Sequence, residues 1–303
     1  MRLADGASPS FSWNLLADFH DMWAYPFMVN AFRAGTIVAV VSAAVGWFMV
    51  LRRQTFAGHT LSVVAFPGAT LAALLGLPLA WGYFGFCVGV ALLLAVLPRG
   101  HADTGGQASA ITGTLQAFAL ACGFLFVTLY KGLMSGPESL LFGSFLGITT
   151  SQVAVLAAAA GIVLAVLALI ARPLLFASVD PEVAAGRGVP VRLLGTVFLA
   201  VLGAATAEAS QITGALLVFA LMVIPAATAQ QLTARPALSL ILAVAIALAC
   251  CWGGLIAAYY QPYPIGFFVT TIAFGTYVLT RCIRAAATAL GRARGVRELG
   301  LAA

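Results

Sequence analysis

The chain has 303 residues, of which 62% are hydrophobic and only 8% charged, with a mean hydropathy of +1.06 and a net charge of +6. So few charges cannot cover a water-facing surface, which excludes an ordinary soluble domain and defines a polytopic membrane protein. The positive balance suits an anionic inner leaflet, and nothing in it calls for nucleic acid.

A membrane helix needs about 20 apolar residues to cross ~30 Å of hydrocarbon. Apolar windows of that kind fall near residues 29–51, 60–77, 80–97, 109–130, 152–171, 192–210, 213–233, 237–258 and 264–282. They predict an all-α bundle of about nine transmembrane helices, or eight if one boundary is misplaced. Strands are excluded because Ala, Leu, Val and Gly run without period-two alternation. With Arg172 to Arg192 taken as cytoplasmic, Arg52, Arg53, Arg99, Arg172, Arg187, Arg192, Arg235, Arg281, Arg284, Arg292, Arg294 and Arg297 share one side. Only Arg2, Arg33 and Lys131 fall on the other, so the positive-inside rule predicts an outer amino terminus and a cytoplasmic carboxyl terminus. The division expected is an extracytoplasmic interfacial segment over 1–26, a transmembrane domain over 27–283 and a basic cytoplasmic tail over 284–303.

In residues 1–26, Phe11, Trp13, Phe19 and Trp23 alternate with acidic groups, which suits a segment lying at headgroup depth. It shows no signal peptide pattern, and His20 beside Asp21 reads as a solvated pair. The first span ends at Arg52 and Arg53, which anchor it at the inner surface. In the segment from Gln54 to Gly76, His59 sits where the chain re-enters the bilayer and Ser62 follows one turn on. Pro67 cannot donate to the Val63 carbonyl, which is left free at the same height. An imidazole, a hydroxyl and a free carbonyl on one face form a candidate site for a hard or borderline cation; the alternative is a histidine bonded to a neighbouring helix.

Lys131 is the only lysine, and it is followed by Gly132 rather than Ser or Thr, so the chain carries no Walker-type nucleotide site of its own. Residues 132–151 are too polar at their start to span and fit an amphipathic helix folded onto the outer side. The stretch from Arg172 to Arg192 is the longest charged interlude between two apolar runs. Within it Asp180 suits a helix N-cap, Pro181 the first helical position and Glu182 the first turn, while Gly186, Gly188 and Pro190 stop the helix. The result is a helix of about two turns, roughly 10 Å long, outside the bilayer. It is either a surface loop or a handle by which another protein moves the membrane helices.

Glu208 lies about 24 Å along its helix from Arg192. A dry carboxylate is costly, so it is expected in a water-filled entrance or at the outer interface as a plain cap. Pro225 frees the Leu221 carbonyl in the next span, which either bends the helix or lines a cavity. The five cysteines, Cys87, Cys122, Cys250, Cys251 and Cys282, are scattered in apolar runs without a C-x-x-C pair and read as small hydrophobes. No nucleophile elbow, H-E-x-x-H or carboxylate pair indicates an enzyme.

Five stretches taken together carry a resemblance: FMVNAFRAGTIVAVVSAAVGWFMVLRRQTFAG, the S-x-x-x-x-PG at Ser62 to Gly68, SLLFGSFLGIT, DPEVAAGRGVPV and GALLVFALMVIPAATA. In this order, from about Tyr25 to Arg281, they resemble the permease subunits of divalent-metal ABC importers, the zinc and manganese uptake family ABC-3. The resemblance implies a homodimer in the bacterial cell membrane, two copies of a separate cytoplasmic ATPase and an extracytoplasmic metal-binding protein. It also implies that Asp180, Pro181, Glu182, Arg187 and Gly188 form a coupling helix, while Pro67 and Pro225, by their own chemistry, are expected as hinge or broken-helix positions.

The family pattern places an acid and a histidine four residues apart on the second helix, and here those positions hold His59 and Val63. The resemblance therefore implies a remade site built on His59, Ser62 and backbone oxygens, with Glu208 at the entrance, or selectivity transferred to the binding protein. Imidazole without added carboxylates favours zinc over manganese as transported ion, with no permanently bound cofactor. The competing expectations are a permease for iron chelates or cobalamin, and an ATP-independent metal transporter.

Overall fold

The computed structural model describes residues 22–96, 106–130, 143, 147–261 and 263–300, all of whose regular structure is helical. Residues 1–21 of the predicted amino-terminal segment, with His20, and also Lys131 and most of the predicted outer amphipathic helix lie outside the described residues. The elements are α1 (Pro26–Leu51), α2 (Thr55–Leu74), α3 (Leu79–Val96), α4 (Gly106–Leu129), α5 (Thr150–Val179), α6 (Pro181–Gly186), α7 (Val191–Leu232), α8 (Pro236–Tyr260) and α9 (Ile265–Gly300). Eight stretches among them are long and apolar enough to cross a membrane, and Leu217–Leu232 is a shorter apolar helix. The predicted basic tail continues α9 as helix as far as Gly300.

Starts and stops follow local chemistry. Proline occupies the first turn of α1, α6 and α8, where a missing N–H costs nothing. Thr149 closes a capping box on α5: its hydroxyl accepts from Gln152 N and the Gln152 side chain accepts from Thr149 N.

Burial divides the helices into an inner and an outer set. In the apolar windows of α1, α2 and Val191–Ala215, 72% of residues are buried, whereas in the other five spans the share is 17–33%. The outer helices therefore turn large apolar side chains such as Phe118, Leu169 and Phe274 outward, as lipid-facing helices do. Polar ties fix α1 at the centre. Asn30 Nδ2 donates to the Ile148 carbonyl at 3.1 Å, Trp47 Nε1 to Ser239 Oγ at 2.9 Å and Gln230 Nε2 to the Trp47 carbonyl at 2.9 Å. Small residues set the closest crossings: Gly68 and Gly82 face each other between α2 and α3, and a Cβ on either would strike the other's carbonyl oxygen.

The sixth and seventh predicted spans are two arms of α7. Thr206 Oγ1 lies 3.9 Å from Met222 Sδ, although a straight helix would separate residues sixteen apart by about 24 Å. The chain folds back at Gly214, with φ 73° and ψ 162°, a conformation open essentially to glycine alone. Gly143 stands against this fold: a Cβ there would meet Ile212 O, Thr213 C and Gly214 N. Two separate glycine-containing stretches, SLLFGSFLGIT and GALLVFALMVIPAATA, thus meet at one point.

This bend lies apart from the expected hinges at Pro67 and Pro225. Pro67 lies inside α2 and Pro225 inside the returning arm, and helix continues through both; Gly214 is the interior residue of α7 with non-helical backbone. A proline costs one ladder bond, which neighbouring packing absorbs, whereas a positive φ reverses the chain. Gly214→Ala is expected to destabilise the folded permease by about 1–3 kcal/mol, read as a lower thermal midpoint in detergent; an unchanged midpoint would mean that the bend relaxes without strain.

Candidate functional site

The site is built on the first turns of α2. His59 is half-buried and sits five residues into the helix, about 6 Å along it from Thr55. Three elements enclose its ring. Its own helix supplies the backbone, α4 brings Gln116 Nε2 to 3.4 Å from His59 Nε2, and the returning arm of α7 sets the Phe219 ring edge-on at 4.8 Å between centroids. Thr60, fully buried, donates its hydroxyl to Gln116 Oε1 at 3.0 Å. The other ring nitrogen, Nδ1, is buried and has no hydrogen-bond partner among the described residues. The expected alternative of a histidine bonded to a neighbouring helix is thus half realised: one nitrogen has a neighbour and the other has none.

Ser62 is buried, but its hydroxyl donates back to the His59 carbonyl at 2.7 Å. Its proton is spent on its own helix, and only oxygen lone pairs remain for anything else. Pro67 leaves the Val63 carbonyl without its helical donor, as the sequence predicted. The potential ligands on this stretch of α2 are therefore one imidazole nitrogen and oxygens, a combination that binds a divalent cation loosely where its members converge.

Glu208 is 1% exposed, and neither carboxylate oxygen has a hydrogen-bond partner among the described residues. This burial overturns the reading of an interfacial cap. Thr206 faces the returning arm, so Glu208, two residues on, points about 200° away from it around the helix. Among the described residues no three His, Cys, Asp or Glu gather as a metal cluster, so His59 and Glu208 share no such centre.

At the other predicted site Asp180 caps α6, its Oδ1 accepting from Val183 N at 3.0 Å, with Pro181 and Glu182 in the first turn. The helix ends in a Schellman pattern: Val189 N donates to Ala184 O at 3.0 Å and Gly188 N to Ala185 O at 2.9 Å, with Gly188 at φ 79°. Ala184 is fully buried, while Pro181, Glu182, Val183, Arg187 and Gly188 are exposed. One small buried side chain roots a short projection, capped at both ends, whose other residues are mostly exposed. Arg52 ties the base of this projection to the turn before α2, its Nη1 donating to Ser178 Oγ at 3.1 Å and its guanidinium lying 5.5 Å from the Phe198 ring centroid. Arg52 thus turns inward, and the exposed Arg53 alone fits the predicted snorkelling anchor.

The model of the ABC 3 transport family matches residues 24–284. The chain belongs to the ABC-3 transport family. ABC-3 relatives include the chelated iron transport system membrane protein YfeC of Yersinia pestis, 32% identical over 81% of this chain and 83% of that one. The manganese transport system membrane protein MntC of Halalkalibacterium halodurans is 30% identical over 76% of this chain and 78% of its own length. Among solved structures, PsaBC from Streptococcus pneumoniae in complex with Fab superposes with a TM-score of 0.76 at 23% identity, covering 88% of this chain and 95% of that one. The all-helical membrane fold is thereby that of an ABC permease.

Gln116, Thr60 and Phe219 are the site residues that sequence reasoning missed. Gln116 carried a signal, being a carboxamide inside an apolar span where polar groups need partners. Phe219 carried none, since one aromatic ring among apolar residues looks like any other.

Proposed function

We propose that this ABC-3 permease passes a divalent transition-metal ion along a route that includes His59, and is driven by a separate ATPase that grips α6. The observation that carries the reading is the buried, unpartnered Nδ1 of His59, held between three helices in a family whose named relatives move manganese and chelated iron. A ring nitrogen with no hydrogen-bond partner is a ligand in waiting once it is free of its proton, and a site where no three His, Cys, Asp or Glu gather among the described residues keeps the grip weak enough for release. Ser62, one turn on from His59, and the Val63 carbonyl are the oxygens that the same helix offers, and Glu208 is a further ionisable group on the inner helices.

The donor set favours zinc over manganese, because imidazole suits zinc and the harder manganese ion prefers more oxygen. The names of the relatives give zinc no added support. In the native assembly two copies of this chain sit side by side in the bacterial cell membrane, each with an outer amino terminus and a cytoplasmic α6 docked on one ATPase. A metal-binding protein delivers the ion from outside. Uptake of labelled zinc by cells carrying the complete transporter, challenged with unlabelled zinc, manganese or ferrous iron, tests the cargo. Zinc is expected to compete best; stronger competition by manganese or iron transfers the assignment to that ion, and indifference to all three removes the metal reading.

A further inference from the structure

The imidazole of His59 has two nitrogens and one hydrogen-bonding neighbour. Only a nitrogen without a proton can bind a cation, and a neutral imidazole holds its single proton on one nitrogen or the other. Whatever faces Nε2 therefore decides whether Nδ1 can ligate. In the arrangement described, the amide nitrogen of Gln116 faces Nε2 at 3.4 Å, so Nε2 accepts and the proton resides on the buried Nδ1. That state is closed to a cation. A half-turn of the carboxamide about its Cγ–Cδ bond presents Oε1 instead. Nε2 then keeps the proton as donor and Nδ1 becomes a bare lone pair.

Thr60 can pair with either setting of the carboxamide. Its hydroxyl donates to Gln116 Oε1 at 3.0 Å in the arrangement described and can accept from the amide nitrogen after the half-turn. Thr60 is fully buried and its hydroxyl faces Gln116, which is half-buried. We propose that Gln116 is a positioning residue whose carboxamide, backed by Thr60, sets the tautomer of His59 and so opens or closes Nδ1 to the transported cation. The inference rests on the metal-permease reading above. A ligating histidine is held in its binding tautomer by an acceptor on its other nitrogen. A carboxylate would do this permanently, whereas a carboxamide that can face either way permits release.

The test uses the purified full-length permease in nanodiscs, with zinc as probe. Affinity is measured by calorimetry and the tautomer by 15N-histidine spectra, which hold only three histidines, His20, His59 and His101. In the wild type, zinc is expected to move the His59 proton to Nε2. Gln116→Leu is expected to weaken zinc binding by about 10- to 100-fold and to remove the tautomer preference. Gln116→Glu is expected to show the Nε2-protonated form before zinc is added and to bind at least as tightly as wild type. A purely structural role would make both variants equally weak, and that result, or wild-type affinity and tautomer in Gln116→Leu, overturns the proposal. His59→Ala separates the two levels: lost binding there with an unchanged Gln116→Leu sinks the role of Gln116 alone, whereas wild-type zinc affinity in His59→Ala sinks the site reading beneath it.

Discussion

His59→Ala is expected to lower metal uptake by about tenfold or more while the permease still accumulates in the membrane. The size follows from what the side chain supplies. Losing a residue that merely orients a metal ligand costs about 10- to 100-fold in affinity, and loss of the ligand should cost at least as much. Assembly should survive because the ring is half-buried and makes no short hydrogen bond; its contacts are the 3.4 Å approach of Gln116 and the edge of Phe219. The measurement is initial uptake rate normalised to membrane-inserted protein. Full uptake in this variant would remove His59 from the route.

The second large effect is expected at α6. Asp180→Ala removes the side-chain acceptor for Val183 N, a cap whose loss typically costs about 1 kcal/mol. In a helix of six residues rooted by Ala184 alone, that loss is enough to let the projection fray. If the projection transmits force from an ATPase, frayed ends slip, so Asp180→Ala combined with Glu182→Ala should leave ATP hydrolysis running while uptake collapses. Asp180→Asn keeps the capping oxygen and should keep coupling, which separates the cap from the charge. Equal loss in both variants would mean that the negative charge, and not the helix end, is what the partner reads.

These two sites were legible in the sequence to different degrees, for physical reasons. Helix α6 was fully legible because capping is local: Asp, Pro and Glu at one end and Gly188 at the other fix the helix within a dozen residues. The spans were legible because hydrocarbon thickness dictates their length, and the reversal near 210–213 was placed within a few residues of Gly214. Its nature was not, since the prolines at 67 and 225 stand out on paper while one glycine among 31 does not. The layout of the bundle was hidden as well. Helices apolar on every side carry no amphipathic stripe to show which face turns inward, so the central place of α1 and the reach of Gln116 toward His59 emerge only from tertiary packing. Glu208 was flagged as costly, yet its depth depended on neighbours that the sequence does not order.

The account rests on a divalent ion being driven past His59 by an engine that the chain itself lacks. The most direct measurement is zinc uptake into proteoliposomes containing the permease, its ATPase and its binding protein, with and without ATP. The account predicts accumulation against a gradient only with ATP and all three proteins, lost in His59→Ala while hydrolysis continues. Equal accumulation by the permease alone, with no ATPase and no nucleotide, would contradict it.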